Sequence, residues 1–486
     1  MRRVHLIGIG GSGLSAIARV LIESGYSVSG SDRLLSPMAK SLQEAGAQVF
    51  IGHQSEYVRG ADLVIRSSAI PDDNVEVLEA RANGIPVLKR ADFLGQLMAD
   101  HLGIAIAGTH GKTTTTAMIA WVLSALGQDP TFIIGGISKN LGTNARAGKG
   151  KAFVIEADEY DRMFLGLQMQ IAVVTNVEYD HPDCYPTSQS YHQAFLEFIK
   201  KLPVDGLLLA CVNEPGAALL LHESAGAGKY TMGYGVSTPG TRPTLSSDVR
   251  WAYQAINLEQ NQRGGFTFEA VCHPKPRNKG SKSPRHRPKT TQVSLQIPGE
   301  HNVRNALAAL AVTHWLGLSL DDAAQALYEF SGTGRRFEVI GEVAGISIVD
   351  DYAHHPTEIQ TTIQAARMFY PGRQLWVVWQ PHTYSRTRMY FNDFVSAFES
   401  ADHVLVTEVY AARESLIHDF SALQIVKAMH HPDAHFIPDL AQATTFLLER
   451  LRSGDVLLVL SAGDADQISA NVLSALEERN NVDARF

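Results

Sequence analysis

The sequence predicts an α/β protein of three α/β domains: N-terminal Rossmann-like, central with a P-loop ATPase-like parallel sheet, and C-terminal Rossmann-like. Three observations lead there. Apolar strand-like runs alternate with amphipathic helix-like runs along the whole chain, the pattern of βαβ units. Two glycine turns, GIGGSG at 8–13 and GTHGKT at 108–113, each follow an apolar run and open a helical one. And 486 residues exceed one core, giving about three domains of ordinary size.

The first series reads VHLIGIG, SGLSAIARVLIESG, YSVSGSD, ADLVIRSSA and IPVLKR, closing near residue 100. Its start resembles a signal peptide, with two arginines before an apolar stretch. Gly8, Gly10, Gly11, Gly13 and Arg19 interrupt that stretch, so a strand, a glycine turn and a helix are expected instead. The second series opens at LGIAIAGTHGKT and continues through AFVIEADEYD, IAVVTNVEYDH and GLLLACVNE, with a helix over HNVRNALAALAVTHWLGL at 301–318. A third follows SGTGRRFE: GISIVDDYAHHP, QLWVVWQPH, HVLVTEVY and DVLLVLSAG. The expected domains are therefore 1–100, 101–331 and 332–486. Within the central one HPKPRNKGSKSPRHRPKTT, residues 273–291, carries seven Lys or Arg and no acid, the composition of a solvated, mobile loop.

Composition narrows the function. Hydrophobic residues make up 45% and charged residues 19%, as in a soluble globular protein. A net charge of −8 argues against nucleic acid as the main partner. No apolar run approaches the roughly 18 residues that span a bilayer. Cys184, Cys211 and Cys272 have neither metal-ligand spacing nor obvious pairing, which fits a reducing, cytoplasmic compartment.

GIGGSG, with Asp32 at the end of the next strand, fits G-x-G-x-x-G: glycines let backbone N–H groups approach a diphosphate. A nicotinamide-dependent oxidoreductase with Asp32 on a ribose is one reading; a UDP-sugar presents the same diphosphate. GTHGKT lacks the first glycine of a full Walker loop, where Ile106 stands, but keeps Gly108 and Gly111 for the turn, Lys112 for phosphates and Thr113 for Mg²⁺. Thr113 to Thr116 then open a helix whose N-terminus suits an anion. Two strand ends supply carboxylates for a Mg²⁺ ion: Glu156, Asp158, Glu159 and Asp161 on one, Asn176, Glu178, Asp180 and His181 on the other. Asn302 and Asn305 lie three apart on one helix face, suited to an adenine edge or, for Asn302, to a helix cap. DDYAHHPTE crowds Asp350, Asp351, His354, His355 and Glu358 at a strand end without a standard zinc spacing. QPHTYSRTR offers His382, Arg386 and Arg388 to a carboxylate or phosphate.

Taken in order, GTHGKT, EADEYD, NVEYDHPD, GEHNVRNALAA, DDYAHHPTE and QPHTYSRTR resemble the Mur ligase family over essentially the whole chain. That resemblance implies ATP-dependent ligation of an amino acid to UDP-N-acetylmuramate through an acyl phosphate, in peptidoglycan precursor synthesis. It also explains two phosphate loops in one chain: one for the sugar nucleotide, one for ATP. The implied UDP-sugar residues are Gly8, Gly10, Gly11, Ser12, Gly13, Asp32 and Ser67. The implied ATP residues are Gly108, Thr109, His110, Gly111, Lys112, Thr113, Thr114, Asn302, Asn305 and Arg335. Lys112, Glu156 and His181 are the implied catalytic residues, with Mg²⁺ on Thr113, Glu156 and His181. QPHTYSRTR implies L-alanine as the amino acid, with Tyr352, His354 and Arg386 forming its pocket, rather than the preformed tripeptide that a recycling branch attaches. One departure bears on that pocket: Thr383 stands where alanine-adding relatives often carry arginine.

Overall fold

Short apolar runs become buried strands throughout, and they assemble into three separate sheets. The computed structural model describes residues 2–225, 229–237, 250–273 and 288–483. The first sheet contains β1 (Arg3–Ile7), β2 (Ser27–Asp32), β3 (Gln48–Ile51), β4 (Leu63–Arg66) and β5 (Val87–Lys89), all parallel, in the order β3-β2-β1-β4-β5. The order reverses between β1 and β4, and GIGGSG leaves the carboxyl end of β1 at that reversal, where open α/β sheets collect ligands. The helix Ser12–Glu23 follows, burying Leu14, Ile17, Val20 and Leu21 at helical spacing.

The central sheet has ten strands: β6 (Leu102–Ala107), β7 (Thr131–Ser138), β8 (Thr143–Arg146), β9 (Ala152–Glu156), β10 (Ile171–Val174), β11 (Leu207–Cys211), β12 (Tyr230–Val236), β13 (Arg250–Gln260), β14 (Phe266–Cys272) and β15 (Lys289–Ser294). Their order is β15-β14-β13-β12-β11-β10-β6-β9-β7-β8. It is parallel in the middle but antiparallel at both edges, through β7/β8 and through β13, β14 and β15. The strand-and-helix alternation in the sequence did not indicate that second extension. The pairing that matters for function is local: β9 and β10 flank β6 on either side, in parallel, with Ile106 opposite Glu156 and Ala107 opposite Val174. Both acidic strand ends therefore stand beside GTHGKT.

Alternation along β6 divides the core. Ile104 and Ile106 join the cluster under the helices Lys112–Ala125 and Glu300–Trp315, while Ala105 and Ala107 join one shared with Val4, Leu14 and Phe93 of the first unit. Burial of this shared apolar surface holds the first sheet against the central one.

The third sheet contains β16 (Glu338–Val343), β17 (Ile346–Asp351), β18 (Leu375–Gln380), β19 (His403–Val406), β20 (Ala434–Phe436) and β21 (Val456–Ser461), in the order β16-β17-β21-β18-β19-β20. Only β16 is antiparallel. DDYAHHPTE leaves β17 and QPHTYSRTR leaves β18, so both reach the same carboxyl edge. Of the basic segment 273–291, residues 274–287 lie outside the described residues, and its expected mobility with them; Lys289 to Thr291 open β15. Cys184, Cys211 and Cys272 are free thiols. No helix among the described residues is long and apolar enough to cross a membrane.

Candidate active site

GTHGKT is held by the end of β10. The hydroxyl of Thr175 donates to the carbonyl of His110 at 2.6 Å, the amide of His110 donates to Asn176 Oδ1 at 2.8 Å, and Thr109 Oγ1 donates to the carbonyl of Glu178 at 2.6 Å. Glycine is required twice. Gly108 has φ +139° and a Cβ there would lie 2.0 Å from Thr175 Oγ1; Gly111 has φ +78° and faces Asn305 Oδ1 at 3.0 Å. Lys112 then opens the helix. Its Nζ donates to the carbonyls of Gly108 and Thr109 at 2.5 and 3.1 Å and lies 2.9 Å from Glu159.

Charges in this loop are set by competition. Burial alone would discharge Lys112, but Glu159, Glu156 and Asp158 outweigh it and keep the ammonium charged. Burial would protonate Glu159, yet Lys112 and His181 hold its carboxyl below the usual range. Glu156 goes the other way: burial pushes its carboxyl up despite Lys112 and the neighbouring Thr113 hydroxyl, and its Oε2 accepts from the amide of Gly135 at 2.8 Å. A buried, under-compensated carboxylate beside a hydroxyl is an oxygen set suited to Mg²⁺. His181 does not join that pair directly. Its Nε2 lies 3.6 Å from Glu159 and 3.7 Å from Asp180, and these acids raise its pKa against burial.

A cleft of about 770 Å³ opens beside the loop, lined among others by Gly111, Thr113, Thr114, Asn302, Asn305 and Arg336. That volume is within the range of small-ligand sites. Asn302 is not the helix cap, which is Gly299; it donates to the carbonyl of Pro298 at 2.6 Å, and Asn305 donates to Asn302 Oδ1 at 3.0 Å. Arg335, the arginine expected at the phosphates, turns away: its Nη2 donates to the carbonyl of Ser461 at 2.7 Å and its Nη1 lies 3.6 Å from Asp466. Left-handed backbone at Arg335 and Phe337, φ +56° and +45°, sends Arg336 into the cleft instead. There it faces Glu358 at 3.8 Å and tempers the effect of burial on Asp351, whose carboxyl is pushed up to about 6.

The third unit closes on the central one through charged pairs. His110 stands between Glu358 at 3.0 Å and Glu178 at 2.9 Å, which raise its pKa to about 9 although burial opposes them. Thr357 Oγ1 donates to Glu178 at 2.7 Å. His110, Glu178 and His355 bring ligand atoms within 4.8 Å of one another, but both nitrogens of His110 are already engaged by carboxylates. Arg386 reaches across to Asp180, donating from Nε at 2.9 Å and Nη2 at 3.2 Å. Its expected role as a free carboxylate fork is therefore not what this structure contains. His354 Nδ1–H donates to the carbonyl of Tyr352 at 2.8 Å, which fixes the proton on that nitrogen. Burial brings His354 down to about 3 and His382 to about 4, so both rings are neutral near pH 7. Tyr352 presents its ring to Arg335 and Arg336, each about 5 Å from its centroid, at 5.1 and 5.2 Å.

The glycine loop of the first unit is organised differently. Gly8 has φ +88°, and its amide donates to the carbonyl of Ser31 at 2.8 Å. Asp32 faces the loop itself: its Oδ2 accepts from the amide of Gly10 at 2.8 Å. Ser12 begins the helix, Gly11 precedes it, and Ser67 stands 3.1 Å from where a Cβ on Gly8 would be. Arg90, which the sequence did not single out, lies over Gly13 so closely that a Cβ there would meet its Nη1 at 1.9 Å; its Nη2 is 3.4 Å from Asp158. One cation thus touches the first loop and the acidic end of β9.

Comparisons with known proteins agree over the full length. Models of the Mur ligase family catalytic domain, the Mur ligase middle domain and the Mur ligase glutamate ligase domain match residues 3–102, 106–313 and 335–463. The chain is 41% identical over 481 residues to UDP-N-acetylmuramate–L-alanine ligase of Geotalea daltonii, covering 98% of this chain and 99% of that one. It is 42% identical over 477 residues to the same-named ligase of Acidithiobacillus ferrooxidans, covering 97% of each. Among solved structures, UDP-N-acetylmuramate–alanine ligase from Thermotoga maritima superposes with a TM-score of 0.78 at 27% identity, covering 99% of this chain and 100% of that one. A murein peptide ligase from Psychrobacter arcticus gives 0.71 at 25% identity, covering 98% and 99%.

Proposed function

The chain belongs to the Mur ligase family, and on that premise we propose that it joins L-alanine to UDP-N-acetylmuramate at the expense of ATP, in peptidoglycan precursor synthesis. The observation that carries the reading is the grouping of Lys112, Glu156 and Glu159 at parallel strand ends, beside the Asn302–Asn305 cleft and facing QPHTYSRTR through Asp180. We assign residues 1–100 to the sugar nucleotide, 101–331 to ATP and 332–486 to the amino acid. ATP, its product ADP and a UDP-sugar belong to the cell interior, and a cytoplasmic enzyme follows.

Condensing a carboxylate with an amine in water runs uphill, so the carboxylate is first activated. Its oxygen forms a bond to the γ-phosphorus of ATP as the bond to ADP breaks, giving an acyl phosphate. The amine then forms the C–N bond, phosphate leaves and the amine's proton is released. Lys112, kept charged by its acidic neighbours, offsets charge on the transferring group, usually the largest catalytic contribution. Asn302 and Asn305 offer amide edges to the base, and Arg336 brings a second cation to the phosphate side of the cleft. Thr113 and Glu156 would hold Mg²⁺, which would neutralise phosphate oxygens, and His181 would serve a second ion.

ADP release with UDP-N-acetylmuramate tests this. L-alanine should stimulate it; stimulation by a tripeptide and not by L-alanine would identify the recycling activity instead. Tight NAD(H) binding without UDP-sugar binding would overturn the assignment of the first loop.

A further inference from the structure

Arg386, the residue expected to receive the amino acid's carboxylate, is already engaged. Arg386 directs Nε and Nη2 to both oxygens of Asp180, and its Nη1 approaches His382 Nδ1 at 3.1 Å. Both members of the pair are 4% exposed. Drawing the arginine away would leave a buried carboxylate uncompensated, a strongly unfavourable exchange for one small ligand. Thr383 carries no charge, and its hydroxyl caps the helix Tyr384–Met389, accepting from the amide of Arg386 at 3.4 Å. His354 and His382 are neutral rings.

A cation arrives from the next segment. The amide of Tyr410 donates to the carbonyl of Pro381 at 2.8 Å, and that of Thr383 donates back to Tyr410 at 2.9 Å. Glu414 accepts from the amides of Tyr384 and Ser385 at 2.5 and 3.1 Å. Residues 410–414 are thus pinned to QPHTYSRTR at both ends. Between the pins Ala412 adopts left-handed φ +53°, an uncommon conformation for alanine that such anchoring sustains. Arg413 follows and crosses to the central unit, its guanidinium carbon 4.1 Å from the centroid of the Tyr160 ring.

Tyr160 adjoins His181, one of the residues assigned to the reaction. Its ring meets the edge of His181 at 5.1 Å between centroids, and its hydroxyl donates to Asp183 at 2.9 Å. On its other side Arg413 is near enough to His382 for its charge to oppose protonation of that ring. Arg413 is exposed and, among the described residues, makes no ion pair and no hydrogen bond, so its guanidinium donors remain open. An α-amino acid bears its amine and carboxylate on one carbon. A carboxylate anchor must therefore stand a single residue's breadth from the point of attack. Arg413 lies over the Tyr160 ring that meets His181, and within electrostatic reach of His382.

We propose that Arg413 receives the α-carboxylate of the incoming amino acid, while Arg386 is a positioning residue that holds Asp180 and His382. This rests on the ligase reading above and names the specificity contact of that same site. A planar guanidinium over an aromatic face keeps its fork edge free for two carboxylate oxygens, which lysine does not reproduce.

The test is steady-state ADP release by the full-length enzyme with L-alanine and with L-alaninamide, which lacks the carboxylate charge. Arg413→Ala should raise KM for L-alanine about 10- to 100-fold, the range of a lost charge-assisted hydrogen-bond pair, with KM for ATP and UDP-N-acetylmuramate within about twofold. Its kcat/KM for L-alaninamide should match the wild type, and Arg413→Lys should recover part of the loss for L-alanine. An unchanged KM for L-alanine, or an equal fall with alanine and alaninamide, would overturn the assignment. Absence of any alanine-stimulated ADP release by the wild type would overturn the ligase reading itself, before a variant is compared.

Discussion

The two glycine loops occupy equivalent places, each leaving a central parallel strand and opening a helix, yet they are built to opposite purposes. In the first, the acid nearest the loop fixes its backbone, since Asp32 accepts from Gly10, and the cation over Gly13, Arg90, comes from another helix. In the second, the cation belongs to the loop: Lys112 sits within hydrogen-bond reach of the carbonyls of Gly108 and Thr109 and of the Glu159 carboxylate. The first arrangement fixes a turn of backbone N–H groups, which suits a diphosphate that is bound and not attacked. The second surrounds one buried charge with carboxylates and carbonyls, which suits a transferring phosphoryl group and a metal. What differs is not the turn but which side chains the flanking strands deliver to it.

The largest expected effect is Lys112→Ala. Turnover should fall by several orders of magnitude, as expected when charge stabilisation at a transferring phosphoryl group is removed. Binding of UDP-N-acetylmuramate by calorimetry should stay near wild type. Near-normal turnover would mean that the second loop is not the reacting one.

The first loop should respond in binding. A Cβ on Gly11 meets only the carbonyl oxygen of Gly8, at an ordinary 3.4 Å, so Gly11→Val is tolerated by the fold while crowding the approach of a diphosphate. We expect KM for UDP-N-acetylmuramate to rise about 10- to 100-fold with that for ATP little changed. Arg90→Ala should act in the same direction. If either variant raised KM for ATP as much, the two loops would not be separate sites.

Smaller effects should appear in stability, at opposite ends of the pH scale. Beneath the first loop Glu76 is buried among His5 at 2.6 Å, Ser31 at 3.0 Å and His53 at 2.7 Å, while the carbonyl of Ser31 holds Gly8 and Ile9. Burial raises its pKa, but these hydrogen bonds outweigh it and leave the carboxyl below the ordinary 4.5. A depressed folded pKa gives stability that is complete above 4.5 and lost as pH falls through the lower folded value. Lys112 has the reverse sign: its stabilisation is complete below 10.5 and lost as pH rises above it. Thermal melts of Glu76→Gln should lose steepness only on the acid side, those of Lys112→Met only on the alkaline side. A shared pH window would show that the two neighbourhoods unfold as one.

The smallest change concerns Asp32→Ala. Loss of the Gly10 contact should cost about 1 kcal/mol, the scale of one hydrogen bond, read as a lower Tm. An effect confined to UDP-sugar affinity, with no change in Tm, would return Asp32 to the ribose.

Features confined to one stretch of chain were legible in the sequence. Glycine at 8, 108 and 111 announces left-handed or crowded backbone, and an apolar run ending in acids announces a strand that delivers them to an edge; β9 and β10 do so. The alternation of such runs gave three α/β units because each period describes a local preference that packing then reinforces. What failed had no local signal. β14 and β15 flank a run of like charges that obscured their alternation. Arg335 and Arg336 are neighbours of the same chemistry, and only the left-handed turn around them decides which enters the cleft.

By itself, then, the sequence determined the strands that carry the site, the two glycine loops and the side chains at their ends, since backbone preference and hydrophobic period act over a few residues. The tertiary structure alone decided how those side chains are engaged. Arg386 and Asp180 lie 206 positions apart and meet because strand ends of two sheets face each other; Arg413 becomes available at that same junction because Glu414 pins its loop. Charge pairing in a buried cleft depends on distance in space, and distance in space is set by sheet order and interdomain packing, which no short window of sequence contains.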